Sequence, residues 1–479
     1  MSDNWDVIVI GAGTAGMMAS IFAARRGARV LALEIAPEAG GTLHISTGQM
    51  SAAGTRIQKS LGIADTPDDH YADIMRISRN TADPKLVRFA VDNAADTFEW
   101  LVENGLQVMP DHPVKGSGHE FYTERRYYWG ADGGRSVLNV VRPVFLNEVK
   151  AGRVTLRLET EASALEQDAT GRVAGVTAKT RGEAAKRYSG KNVVLTTGGY
   201  ASNAALFQEL NGHPQYADAA YPYSQGAGIM MARAIGGWTR GRQNYLCSFG
   251  AILDSDTYPA RILARPIHNP ALRQPWEIYV NAAGRRFVAE DNPSVDAREH
   301  ALLQQPDLRM WSVFDDAIAR AAPPMVADWS KADLMAKFGD HKMFITADTL
   351  DGLARAAGID PQGLAETVAQ YNESLTGADP LGRQHRPQPI AQGPFYAIRL
   401  RGVSISSTVG LGVDEDLRVL GTNNKPIPGL HAAGELLGGG QTMGNSFVGG
   451  MMVTPALTFG RLLGSRILQW ESEKLRAAG

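Results

Sequence analysis

The chain has 479 residues, 44% of them hydrophobic and 20% charged, more than one core uses and ordinary for a globular enzyme, so two or more domains are expected. A formal net charge of −2 leaves no global basic field for nucleic acid or anionic lipid. The single cysteine, Cys247, excludes an internal disulfide, a thiolate-held metal or iron–sulfur site and a Cys-x-x-Cys-His haem attachment, and no metal is expected. The opening MSDNWDV enters a strand at once, and no run of about 18 apolar residues suggests a membrane span, so the expectation is a cytoplasmic protein.

In chain order, residues 5–10 read as a buried strand, 14–27 as a helix closing at Gly27 and 29–34 as a second strand. Residues 39–54, AGGTLHISTGQMSAAG, are too irregular for a helix. Helical patterns follow over 68–78, 84–105 and 137–149. Residues 154–158 and 171–180 alternate as strands do, with a turn at Asp168 to Gly171, and 191–203, KNVVLTTGGYASN, is a buried strand ending in a Gly-Gly turn. Prolines scatter through 246–400, where 278–291 reads as a hairpin and helices are expected at 297–304, 347–356 and 361–376. From about residue 401 the glycine-rich style returns and closes on a helix, 455–476. The expected division is 1–243 with 401–479 as one domain and 244–400 as an insertion with its own small core.

Gly11, Gly13 and Gly16 form Gly-x-Gly-x-x-Gly between the first strand and the first helix, which Thr14 and Ala15 open. The first glycine allows the tight turn, the second lets the backbone approach a pyrophosphate, and the third permits close helix–strand packing. The helix N-terminus favours the anion. Glu34, ending the second strand, stands where a carboxylate accepts bonds from a ribose hydroxyl. NAD and FAD both fit this unit. The tract GLHAAGELLGGG (429–440) decides between them, because it lies about 400 residues downstream, too far to belong to a nicotinamide half-domain.

Further tracts follow in order: GGTLHISTGQMSAAGT (40–55), VVLTTGGYASN (193–203), GAGIMMARAIGG (226–237), VNAAGRRFVAED (280–291), PFYAIRL (394–400) and GNSFVGGMMVTPALTFGRLLG (444–464). With them the chain resembles, over nearly its whole length, the FAD-binding family of the fumarate reductase and succinate dehydrogenase flavoproteins and the 3-ketosteroid dehydrogenases. The resemblance implies an α/β fold: a Rossmann-like FAD-binding domain with an inserted α+β capping domain over the flavin's reactive face. It implies that Glu34 holds the adenosine ribose, that Gly41, Thr42, Thr47, Gly48 and Gln49 line the pyrophosphate and isoalloxazine, and that Ala162 meets the adenine through its backbone. Thr197, Gly198 and Gly199 pass near the pyrophosphate. Gly434 and Glu435 reach the ribityl chain, and Ser446, Phe447, Val448 and Gly449 close over the flavin ring. Covalent attachment in the succinate enzymes uses a histidine at the position of Thr42, and His44 lies two residues on, so non-covalent FAD is expected.

The implied activity is hydride exchange between a substrate carbon and flavin N5, with a side chain moving a proton at the neighbouring carbon: α,β-dehydrogenation, or reduction, of a C–C bond next to a carbonyl. The fumarate-specific residues are absent. Ser407 stands in place of a histidine, Phe447 in place of an arginine, and Ser294 in place of the proton-donating arginine. The tyrosine that ketosteroid enzymes carry near Ser294 is absent too, whereas Tyr127, Tyr128 and Trp129 precede a glycine-rich turn. Tyr128 is the expected acid–base group, its pKa lowered by Arg298, with Tyr127 and Tyr245 as replacements. Arg298 on its own reads more simply as a solvated helix-face residue, and Cys247 as core. Ser407, Phe447, Trp129 and Ser294 are the expected substrate wall, and a ketone or enone suits them better than fumarate. Three rival readings stand: a tricarballylate- or fumarate-type carboxylate enzyme using Arg tracts 123–126 and 261–273 as a clamp, a non-catalytic electron-transfer subunit, and a flavin oxygenase. The expected partners are a small-molecule substrate and an unidentified electron acceptor.

Overall fold

The structure is a computed structural model that describes the backbone of residues 4–477 and the side chains of residues 4–469. It divides into two units. One takes the chain up to Gly212, then Ala220–Tyr245, then Ser406 onward; the other takes His213–Ala219 and Leu246–Ile405.

The first unit is organised by Asn4–Ile10, whose last four residues are buried. This strand lies between Val30–Leu33 and Lys186–Leu195 and is parallel to both. Val154–Arg157 extends one side in parallel, Pro426–Ala432 the other, and Arg418–Leu420 closes that edge antiparallel. Such a sheet is apolar on both faces because helices cover it. The helix Thr14–Arg25 and the closing helix Val453–Ala477 pack on each other. Gly460 and Gly464 make that approach possible: a Cβ at either would overlap the Ala15 or Ala19 carbonyl oxygen. The hairpin Thr160–Gln167 with Val173–Thr180 joins the first half of Lys186–Leu195 antiparallel.

The second unit is an antiparallel six-stranded sheet. Phe395–Val403 pairs with Ser248–Leu253, Arg309–Asp315 and Phe344–Ala347, while Ile262–Ala264 and Ile278–Val280 form the ends. Helices Val295–Leu303, Leu350–Ala357 and Pro361–Glu373 complete it.

Two expected elements differ. The helix over 84–105 is two helices, Pro84–Asp92 and Ala94–Glu103. Asn93 separates them: its φ of −117° leaves the helical range, and its side-chain amide donates to the Phe89 carbonyl at 3.0 Å. The hairpin over 278–291 is reduced to a single bridge from Val280 to Arg286. Arg286 instead pairs with Glu290 at 2.6 Å and Asp379 at 2.6 Å, so side chains that a surface hairpin would turn outward are held in ion pairs of low exposure.

Candidate functional site

The first unit's glycine turn leaves a cradle of bare backbone. Gly11 sits at φ +97°, and a Cβ there would lie 2.5 Å from the Thr196 carbonyl oxygen. A Cβ at Gly16 would overlap the Gly11 carbonyl oxygen. Gly13 faces Gly41, whose added Cβ would lie 3.0 Å from the Gly13 Cα. The helix that follows has no capping side chain and no acidic residue in its first turn. Its first N–H groups and its positive dipole end therefore face the turn without a protein anion. The buried Glu34 carboxylate closes the cradle, accepting from the Ala12 N–H at 2.6 Å and the Ala36 N–H at 2.9 Å. Burial raises its pKa against three backbone bonds, from Ala36, Ala12 and Ile35. A carboxylate has about four acceptor sites, so one remains for a ribose hydroxyl.

Beside this cradle the tracts interlock through backbone. A Cβ at Gly48 would lie 2.5 Å from Gly133 and Gly134, and the Gly134 N–H donates to the Ser46 carbonyl at 2.9 Å, so Thr47, Gly48 and Gln49 rest on the start of helix Gly134–Lys150. Thr42 lies in the single turn Gly41–His44, and His44 is directed toward Glu38, 3.8 Å away. Ala162 is buried in a bulged strand that lines, with Met231 and Ile235, a cleft of about 330 Å³. Thr197 Oγ1 accepts from the Gly228 N–H at 3.2 Å, and Gly198 sits at φ +74°. Gly199 gives room to Ser407 and Glu435. Ser407 accepts from the Tyr200 N–H at 2.8 Å and donates its own N–H to Glu435 at 3.0 Å. Ser407, expected as substrate wall, thus holds Glu435, whose pKa burial raises.

The loop Ser446, Phe447, Val448, Gly449 is fixed from below. The Tyr122 hydroxyl donates to the Gly449 carbonyl, and Asn445 N–H donates to Thr81 Oγ1 at 2.9 Å. Ser51 and Thr454 exchange bonds at 2.9 and 3.1 Å behind it. Met50–Ser51 pairs with Tyr127–Tyr128, and strand alternation sends the two tyrosines opposite ways. Tyr127 lies against Gly449, where an added Cβ would be 2.8 Å from its ring; its hydroxyl has no partner among the described residues. Tyr128 packs on Phe98 and shares a 2.7 Å bond with Thr55. Burial raises both phenols, so the lowered pKa expected for Tyr128 is overturned: desolvation outweighs the Thr55 bond and the Arg126 charge, and Arg298 is not among the groups that act on it. Trp129 stands edge-on to His112 and Tyr127, and Tyr245 edge-on to Phe207. Sequence reading missed His119, whose ring meets Phe447 at 4.3 Å; its only signal was its place directly after the glycine pair in GSGHEF.

The second unit corrects the reading of Arg298 as solvated. Its side chain is 0% exposed on helix Val295–Leu303. Helical side chains lean toward the N-terminus. Accordingly its Nε reaches the Ser294 carbonyl at 3.4 Å and its Nη1 the His268 carbonyl, while Nη2 has no partner among the described residues. Burial lowers its pKa. Ser294 caps the helix, accepting from the Ala297 N–H at 3.0 Å. Three of the five arginines in the clamp tracts are engaged, Arg126 with Asp65 and Asp73, Arg261 with Asp254 and Arg273 with Glu277, while Arg265 donates to Ser248 Oγ at 3.4 Å and burial lowers its pKa. Cys247 is buried with a raised pKa. Among the described residues no acidic, His or Cys cluster suits a metal, and no helix is long and apolar enough to cross a membrane.

The bare helix end, the Glu34 carboxylate and the glycine contacts fit an FAD. The FAD binding domain model matches residues 6–450. The fumarate reductase (cytochrome) of Shewanella frigidimarina is 30% identical over 477 residues, covering 98% of this chain and 78% of that protein. The urocanate reductase of Eggerthella lenta is 28% identical, covering 97% and 75%. The 3-ketosteroid delta1-dehydrogenase from Sterolibacterium denitrificans shares the fold, with a TM-score of 0.76 at 20% identity, covering 98% of this chain and 100% of that one. The chain belongs to the FAD binding domain family and is an FAD-dependent oxidoreductase acting on carbon–carbon bonds.

Proposed function

We propose that this protein forms or reduces the C–C bond next to the carbonyl of a ketone- or enone-like substrate with a partly apolar body. The observation that carries the reading is Phe447. On the flavin-side loop, where the fumarate reductase pattern has an arginine, an aromatic ring packs against His119. A carboxylate brought against two rings would lose hydration without gaining a charged fork.

The segments 1–243 and 401–479 act as the FAD-binding domain and 244–400 as the cap. Bound FAD supplies a hydride-accepting and hydride-donating N5. Gly11, Gly13 and the bare end of helix Thr14–Arg25 hold the pyrophosphate, Glu34 the ribose, and Glu435, kept in place by Ser407, the ribityl chain. Thr42 cannot form the histidyl link, so the FAD is dissociable: acid precipitation should release all the yellow colour, and a yellow pellet would overturn the claim.

Arg298 moves the proton. Its guanidinium reaches back one turn to the Ser294 carbonyl, and its Nη2 is a buried donor with no acceptor among the described residues. Desolvation, which lowers its pKa, makes release of that proton easier. Tyr127 donates a hydrogen bond to the substrate carbonyl oxygen, because its raised pKa keeps the phenol protonated. Tyr128 is held by Thr55 and supports the ribbon, while Trp129 and Tyr245 serve as wall. A cytoplasmic setting completes the reading. Anaerobic mixing tests it: enones should reoxidise photoreduced enzyme or their saturated counterparts bleach the oxidised form, while fumarate and succinate do neither. Robust fumarate turnover would sink it.

A further inference from the structure

We infer that the stacked rings of His119 and Phe447 form an aromatic platform that selects substrates carrying a planar conjugated ring on the carbon–carbon bond. The inference rests on the function proposed above and names the substrate class of the same site. The two ring centroids are 4.3 Å apart with planes tilted by 35°. Both residues are half-buried, so each keeps ring surface outside the pair. Rings at such separations gain beyond area burial, and a third flat ring extends the stack.

The halves are held differently. Phe447 is set by a loop tied at Gly449 to Tyr122, at Asn445 to Thr81 and, across Gly450, to Ser51. His119 sits on residues 116–121, a loop closed at its base where the Tyr122 N–H donates to the Lys115 carbonyl at 2.9 Å. Gly118 in that loop has φ +78°, and Phe121, 57% exposed, adds a second aromatic face to it. One ring of the stack is thus fixed and the other is carried on a six-residue turn anchored by the same Tyr122 that fixes the first. Within residues 116–121 and 444–450 the side chains offered are aromatic or uncharged apart from His119 and Glu120, and the nearby Arg76 spends an Nη2 bond on the Phe121 carbonyl at 2.8 Å.

The test compares benzalacetone with ethylideneacetone, which share the enone and differ in phenyl against methyl, using flavin-loaded enzyme. The wild type should reoxidise photoreduced flavin with benzalacetone at a KM at least roughly tenfold below that for ethylideneacetone. His119→Ala should remove most of that difference by raising KM for benzalacetone alone, with kcat and FAD content unchanged. Phe447→Leu, on the flavin-side loop, should raise KM for benzalacetone more than for ethylideneacetone. Equal KM values for the two enones in the wild type, or an equal loss on both in His119→Ala, overturns the aromatic platform while leaving the proposed function standing. Failure of every enone and every saturated ketone to change the flavin spectrum overturns the proposed function itself.

Discussion

The two units achieve order by opposite means. The first brings backbone against backbone: Gly11 on Thr196, Gly13 on Gly41, Gly48 on Gly133, Gly460 on Ala15. The second buries charge. Arg273 grips Glu277 with two bonds at 2.8 and 2.9 Å, Arg383 reaches Glu290 at 3.3 Å, and Arg286 spans Glu290 and Asp379. Burial works to raise the Glu277 carboxyl, yet Arg273 outweighs it and holds it at about 2. A cradle for a ligand needs exposed N–H groups and no side chains in the way. A scaffold with buried ion pairs fixes one arrangement at the risk that losing either partner strands the other.

That contrast sets the predictions. The largest effect belongs to the backbone cradle: Gly16→Val should abolish FAD binding, read as purified protein with no flavin absorbance, since any Cβ there overlaps the Gly11 carbonyl. Glu277→Gln leaves Arg273 buried beside a neutral amide and should destabilise the protein by about 3–5 kcal/mol in denaturant unfolding. The same carboxyl predicts an acid limb. Its pKa falls from 4.5 to about 2 on folding, so its contribution is complete above about pH 4.5 and is lost as pH falls toward 2. Glu277→Gln should flatten that limb; an unchanged limb would assign it to other carboxylates. Arg298→Gln should slow flavin reduction or reoxidation by the true substrate roughly 100-fold with FAD retained, whereas a normal rate would move the proton to Tyr127. The smallest effect is Tyr128→Phe: loss of the Thr55 bond should cost about 1 kcal/mol and leave turnover within about twofold.

Sequence legibility divides along the same line. The cofactor tracts were readable because a close backbone approach demands glycine at a fixed spacing, and glycine is visible in a string of letters. The strand Thr160–Gln167 escaped because TEASALEQ offers no steady alternation; its partner Val173–Thr180 supplies the order. Arg298 looked solvated because nothing adjacent in sequence reveals that Phe249 and His268, distant along the chain, cover it. His119 was missed because its stacking partner, Phe447, lies more than 300 residues away in the sequence. Buried polar groups are specified by tertiary neighbours, and those are set only when the sheet has formed.

The first unit's sheet also bears on how the chain is made. Pro426–Ala432 joins the strand Lys186–Leu195, and the closing helix covers Thr14–Arg25, so the opening segments stay unfinished until the ribosome has passed residue 405. By then nearly all of the second unit has been synthesised. Its largest segment, Leu246–Ile405, is continuous and can collapse on its own local schedule while the nascent N-terminal sheet waits with an open edge at Lys186–Leu195. Apolar strands held unpaired during synthesis invite wrong partners. Yield of this protein should therefore be governed by elongation and chaperone supply across residues 406–479 more than by the stability of the finished fold.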